Sequence, residues 1–207
     1  MEWTIFAEAL RKSQFQKSFR DENTRRVLNL LYQYQVRYIL DDMWTYSTAT
    51  PGTISIPQST SISLDVQAAN VAQQLNRYST QIEITTGIIE GNILVVGKNM
   101  KAFFESLPNT WFTPVTEPCP FSTARKIGKF SKYTVFYDPY RHDDEAFMTF
   151  KDPDRWWVAA YYMGMFLPIT PTDVVTIGVK STQSMVSMEA YKYWRPDAVI
   201  KLTAAYV

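Results

Sequence analysis

The sequence is poor in the residues that do chemistry. It has one cysteine, Cys119, and one histidine, His142, in 207 residues. A single cysteine excludes an intrachain disulfide and any zinc site built from several thiolates. A Ser-His-Asp triad would have to use His142, and no G-x-S-x-G elbow occurs anywhere. Net charge is also lacking: 21 Lys and Arg against 20 Asp and Glu leave +1, so the whole chain carries no signal for nucleic acid or acidic lipid. The longest apolar, aromatic run, Trp156 to Leu167, has 12 uncharged residues, short of the roughly 18–20 needed to cross a membrane as a helix. The start, MEWTIFAEALRKSQ, lacks the basic and apolar regions of a secretory signal. A soluble protein made in a cytoplasm, with no membrane partner, is the expectation.

What is abundant is core-forming material, with 46% hydrophobic and 15% aromatic residues, which argues against disorder. Residues 1–43 read as helical. Val27, Leu31, Tyr34 and Tyr38 are at helical spacing behind a cap at Asn23 or Thr24. Arg11, Lys12, Lys17, Arg20, Arg25 and Arg26 make this segment locally basic. A solvated helix face, an inter-subunit contact or a nucleic-acid contact would each account for them. Trp44–Ser63, rich in Thr and Ser and containing Pro51-Gly52, reads as a turn or extended connection. Leu64–Thr86 reads as a helix with Ala68, Val71, Ala72, Leu75, Tyr78 and Ile82 inward and Gly87 as its stop. Asn92–Val96 suits a buried strand. Asn99 is placed to cap a helix through Leu107, with Met100, Phe103, Phe104 and Leu107 inward and Pro108 ending it. Pro108–Gly128, with four of the eleven prolines, reads as a long loop.

The most aromatic region is Tyr133–Pro171. Tyr133, Val135 and Tyr137 alternate with Thr134 and Phe136, as in a strand, and Asp138-Pro139 breaks the run. Ala146–Lys151 and Trp156–Leu167 give a second and third strand, the last expected to be buried on both faces. Together they predict a β-meander. Val174–Lys180 and Asp197–Tyr206 alternate again, the latter with Ile200, Leu202, Ala204 and Tyr206 on one face. Helices, then a strand–helix unit, then a run of strands favour α+β over a doubly wound sheet.

Tests for chemistry return little. GNILVVGKN (Gly91–Asn99) has five residues between its glycines, where a phosphate loop has four, and Asn99 replaces the Ser or Thr. His142, with Asp143, Asp144 and Glu145, suggests a divalent-ion site or a pH-sensitive contact. It equally suggests a solvated hairpin tip, and the EF-hand spacing is absent. Cys119, between two prolines, reads as structural. Trp156, Trp157, Tyr161 and Tyr162 are interface candidates, because strand alternation sends half of them to the core and Trp and Tyr are enriched at interface anchors. No catalytic, cofactor or metal residue is assigned.

The runs Tyr133–Tyr140, Phe147–Lys151 and Ala160–Pro168 fall in an order that resembles the C-terminal part of tailed-phage major capsid proteins. The similarity is closest to the capsid and vertex proteins of large contractile-tailed phages. That family has a "KVYVDPY", a "VGYKG" and a "FYAPYVPL" strand in the same sequence. Asn76–Phe104 resembles its long helix, "GNFIIAS" strand and following helix, and Ile177–Ser181 sits where it has "GFKTRYG". Asp152 departs from the glycine of "YKG", and Val158-Ala159-Ala160 from a "DAG".

The resemblance implies an α+β phage capsid fold of the Hong Kong ninety-seven type. Residues 1–63 would be a helical segment and extended linker, and 64–207 a core of interleaved peripheral domain (long helix plus sheet) and axial domain. The family's N-terminal arm and E-loop are expected to be missing or supplied by a second capsid polypeptide. It also implies self-assembly into hexamers and pentamers of an icosahedral virion shell, formed in the host cytoplasm. The implied partners are packaged DNA held without sequence specificity and other capsid or vertex proteins, with no cofactor and no enzymatic activity. His142 and Pro108–Gly128 would lie near capsomer contacts. An encapsulin-type compartment shell, a hydrolase or sugar-binding module on the aromatic strands, and a DNA-contacting accessory protein using the basic N-terminal helices are the alternatives.

Overall fold

The computed structural model describes residues 25–57, 62–115, 124–152, 154–155, 158–171, 175–177, 180–182 and 185–207. In chain order these form a helix over 25–45 (α1), β1 (Gly52–Ile56), α2 (Leu64–Thr86), β2 (Ile93–Val96), α3 (Lys98–Ser106), β3 (Phe112–Pro114), β4 (Arg125–Phe130), β5 (Tyr133–Tyr137), β6 (Glu145–Thr149), β7 (Tyr161–Pro171), β8 (Val175–Ile177), β9 (Lys180–Thr182), β10 (Met185–Tyr193), a 3-10 turn (Pro196–Ala198) and β11 (Ile200–Tyr206). The chain divides into two compact units, residues 36–164 with 191–207 and residues 1–35 with 165–190.

The larger unit is built on a seven-stranded mixed sheet in the order β1-β11-β6-β2-β5-β4-β3. β2 is its centre. Its sequence ILVV has no polar position, which suits a strand covered on both faces. Register divides those faces. Leu94 lies beside Val135 and Met148, and Met148 beside Ile200. Ile93 and Val95 align instead with Thr134 and Phe136 on β5 and with Thr149 and Phe147 on β6. The first face is covered by α2 and α3: the Tyr133 hydroxyl donates to Asn76 Oδ1 at 2.6 Å, and Phe104 lies 4.9 Å from Phe130. The second face is covered by the later part of α1, where Ile39, Leu40 and Met43 line a cavity of about 380 Å³ with Ile93, Val95, Phe136 and Phe147.

Local chemistry sets the helix ends. Ser63 Oγ accepts the Val66 N–H at 3.4 Å, and Gly87, at φ 66°, takes the left-handed C-terminal position. Ala68, Val71, Leu75 and Ile82 form the buried stripe of α2. α3 begins at Gly97, with no side-chain cap. Asn99, expected as that cap, donates instead to Asp144 Oδ1 at 2.8 Å. On α1, Met43 is buried while Tyr34 is 69% and Tyr38 45% exposed, so the inward face is not the stripe of Val27, Leu31, Tyr34 and Tyr38.

Four further expectations are corrected. The meander is not formed: β2 separates β5 from β6, and β7 pairs with β10 outside the large sheet. The crossover through α3 returns the chain parallel to β2 at β5, and this leaves the opposite edge of β2 for β6. The strand read at Trp156–Leu167 begins at Tyr161 and is not buried on both faces, Met163 being 41% exposed. Pro108–Gly128 contains β3 and the start of β4, paired antiparallel, because Phe112 packs on Phe104 at 6.0 Å. Residues 52–56, read as connection, are an edge strand parallel to β11.

In the smaller unit, residues 25–35 are helical, β8 and β9 pair antiparallel, and the Gln35 amide donates to the Glu189 carboxylate. β7 and β10 form a two-stranded sheet. Among the described residues, no helix is long and apolar enough to cross a membrane. The expected N-terminal caps and Cys119 lie outside the described residues.

Gly97 lies hard against the backbone of the crossing connection: a Cβ there would meet the His142 carbonyl oxygen at 2.2 Å. Gly97→Ala is therefore expected to destabilise the larger unit by about 2–3 kcal/mol, read as a lowered urea midpoint. An unchanged midpoint would show that the turn over Gly97 gives way freely.

Candidate assembly surfaces

The connection from β5 to β6 must cross over the end of β2, and it is held by a buried cation. Asp138 Oδ1 accepts the Tyr140 N–H at 3.0 Å, an Asx turn that starts the crossing. Arg141, with its side chain 5% exposed, donates from Nη2 to the Leu40 carbonyl at 3.1 Å. The same nitrogen lies 3.5 Å from Asp138 Oδ2 and 3.6 Å from Asp41 Oδ1. Its guanidinium sits over the Trp44 ring at 4.9 Å and the Phe147 ring at 5.6 Å, so α1 and β6 are joined through one planar cation. Burial pushes the Asp138 carboxyl above the usual carboxylate range; the Tyr140 N–H and Arg141 oppose this without cancelling it.

The same crossing holds His142 in place. Its side chain is exposed, and its carbonyl accepts the Glu145 N–H at 3.0 Å. Two amides at the start of α3 are spent on this segment, Gly97 N–H to Glu145 O at 2.9 Å and Asn99 N–H to Asp143 O at 3.0 Å. The Gly91–Asn99 segment thus forms a strand-to-helix turn whose donors are already used, and it offers no phosphate cradle. The turn is a crossing connection and not the tip of a hairpin between adjacent strands. Among the described residues, no group of three or more His, Cys, Asp or Glu could hold a metal ion.

A second feature is a tyrosine cluster between the later part of α1 and the ends of β7 and β10 in the larger unit. Tyr161 donates to Asp42 Oδ2 at 2.8 Å and Tyr193 to the Met43 carbonyl at 3.0 Å. Burial, followed for Tyr161 by the bond to Asp42, raises both phenol pKa values well above normal. Their rings lie 5.5 Å apart, with Tyr191 5.0 Å from Tyr38. Tyr162 packs edge-on to Trp194 at 6.4 Å, and Lys192 sits 4.6 Å over that tryptophan. Trp194 is 55% exposed. Of the sequence-stated interface candidates, Tyr161 and Tyr162 are thus brought together with groups of their own unit, and His142 stands apart at the crossing.

Trp156 and Trp157 lie outside the described residues. Among the flanking described residues, Lys151 bridges Ala159, and Asp152 accepts the Asp154 and Arg155 N–H groups at 2.9 and 3.2 Å and Arg155 Nε at 2.6 Å. These donors hold the Asp152 carboxyl below its ordinary range. Sequence reasoning assigns no site role to Arg141, Asp138, Asp42, Tyr191, Tyr193 or Trp194. The available signal was a lone arginine three residues after the aspartate of an Asp-Pro break.

The described residues thus give a mixed sheet whose β5–β6 crossing is held by a buried arginine. A protein-family model described as Major capsid protein Gp23 matches residues 36–193. The chain belongs to this major capsid protein family. Among solved structures, it is similar to one described as the crystal structure of a virus-like particle from Pyrococcus furiosus. The identity is 11% and the TM-score 0.48, over 84% of this chain and 64% of that chain. The chain thus spans 64% of the length of the solved structure it matches. A search of curated proteins finds no match.

The Asp138–Arg141 arrangement carries a pH signature. A carboxyl raised in the folded state binds protons more tightly there than when unfolded. Its stabilising contribution is full below the unfolded value and is lost as pH rises through the raised folded value. Asp138→Asn, compared with the parent chain by urea denaturation, is expected to gain relative stability as pH rises from below the carboxylate range to neutrality. A pH-independent difference would contradict this. Arg141→Ala, which leaves Asp138 buried without its cation, is expected to cost about 3–5 kcal/mol at neutral pH.

Proposed function

We propose that this chain is a structural subunit of an icosahedral virion shell. It associates with its own copies into hexamers and pentamers that enclose DNA without sequence specificity, and it assembles in the host cytoplasm. The observation that carries this reading is the match of residues 36–193 to the major capsid protein family. Physical properties support it. A net charge of +1 lets like subunits pack edge to edge without strong mutual repulsion. Five- and six-fold rings need heterologous contacts, in which one face of a subunit meets a different face of the next. The exposed His142 crossing and Trp194 give the larger unit separate surfaces for such contacts. The two compact units correspond, in this proposal, to the interleaved peripheral and axial domains of the family. Trp156, Trp157, Tyr162 and His142 are the proposed contact residues, while Tyr161 contributes by fixing the base of β7 on Asp42. Other capsid or vertex proteins would meet the same rims.

Sedimentation velocity of the purified chain is expected to show ring-sized and shell-sized species with nuclease-protected DNA in the largest. Trp156→Ala/Trp157→Ala is expected to shift mass toward free subunits with the far-ultraviolet circular dichroism unchanged. A parent chain that stays monomeric across all concentrations and salt conditions, or shells loaded with protein cargo and no DNA, would overturn the reading.

A further inference from the structure

The large sheet ends at β1, and a bare edge strand is an open template for another chain. β1 is not bare. Its Gly52, Ile54 and Ile56 positions lie beside β11 at Leu202, Ala204 and Tyr206, and the Ile56 carbonyl accepts the Val207 N–H at 3.1 Å. Thr53 and Ser55 therefore point their backbone groups away from the sheet. Both are met by side chains of α2. The Tyr78 hydroxyl accepts the Thr53 N–H and donates to the Thr53 carbonyl, each at 3.0 Å. The Gln74 amide accepts the Ser55 N–H at 2.8 Å and donates to the Ser55 carbonyl at 3.0 Å.

The spacing explains why a helix can do this. Two residues along a strand advance about 6.6 Å, and four along a helix about 6 Å. Side chains four apart on α2 therefore meet backbone groups two apart on β1. Each supplies one acceptor and one donor, as a residue of a neighbouring strand would. Gly52 makes room: a Cβ there would fall 2.3 Å from the Tyr78 ring.

The other edge is closed by different means. Trp111 and Val115 bond to β4 at Ser131 and Ile127, and Thr113 aligns with Lys129, so the backbone groups of Phe112 and Pro114 point away from β4. The Phe112 N–H is taken by the Pro108 carbonyl at 3.1 Å, and Pro114 has no N–H. Neither outward position of β3 offers a donor.

We propose that Gln74 and Tyr78 act as a surrogate eighth strand, so that the large sheet is closed at both edges against strand addition by a second copy of this chain. Association of copies then proceeds through side-chain surfaces. This goes beyond the shell reading and does not depend on it. Amide hydrogen exchange tests it in the parent chain. The Thr53 and Ser55 amides are expected to exchange at least about tenfold more slowly than unprotected amides, although they lie on the outer side of an edge strand. Gln74→Ala is expected to release Ser55 by roughly tenfold and leave Thr53 little changed, and Tyr78→Phe to do the reverse. The double variant is expected to gain concentration-dependent association that a further Thr53→Pro, which removes an outward donor, abolishes. Unprotected Thr53 and Ser55 amides in the parent chain would overturn the proposal even if no variant folds. A folded double variant that associates no more than the parent, or equally with Thr53→Pro, would also overturn it.

Discussion

A strand of four apolar residues at the centre of a sheet has to be covered on both sides, and this requirement organises the larger unit. Ile93–Val96 has no polar position to turn toward water. One face is closed by α2 and α3 through the packing of Tyr133, Phe104 and Phe130, and the other by the later part of α1 around Phe136 and Phe147. With β5 parallel on one side of β2 and β6 antiparallel on the other, the chain between β5 and β6 is obliged to cross the end of β2. That crossing buries the Asp138 carboxylate, and Arg141 is the cation set beside it. It accordingly reaches the Leu40 carbonyl, Asp138, Asp41 and two aromatic rings from one position.

The same economy of contacts leaves the outside of the unit available. The faces of the sheet are used by helices, the start of α3 is used by the carbonyls of Asp143 and Glu145, and the outward groups of β1 are used by Gln74 and Tyr78. Exposed residues include turns and aromatic rims, notably His142, Tyr140 at 48% and Trp194 at 55%, together with the outer face of α2, where Ile84 is 78% exposed. The outward donors of β1 and the start of α3 are used within the unit, and in the shell reading proposed above its aromatic and cationic rims are among the surfaces left for contacts between copies. Membership in the major capsid protein family is consistent with that use.

Much of the fold is legible in local sequence. Leu64–Thr86 is a helix because Ser63, the Ala68–Ile82 stripe and Gly87 all state the same thing within one segment. β2, β5 and β11 likewise follow from apolar runs or alternation. The α+β class and the capsid resemblance rested on the order of such segments. Strand adjacency is not legible: nothing local says that β2 inserts between β5 and β6, so consecutive strands read as a meander. Nor is the Arg141 site, since its partners Leu40, Asp41 and Trp44 lie about a hundred residues away in sequence. Tyr161 and Tyr162 stand out by their aromatic character, but their partners Asp42, Tyr193 and Trp194 lie in distant segments without a matching signal. β10, unpatterned in sequence, is defined by its pairing with β7.

An image reconstruction of particles formed by the purified chain, at a resolution that traces side chains, tests the central claim most directly. The expected result is a closed shell in which neighbouring copies meet through the turns and aromatic rims, with both faces and both edges of the seven-stranded sheet occupied only by their own chain. Particles that are absent, or a neighbour's strand seated along β1 or a neighbour's segment inserted between α1 and β2, would contradict it.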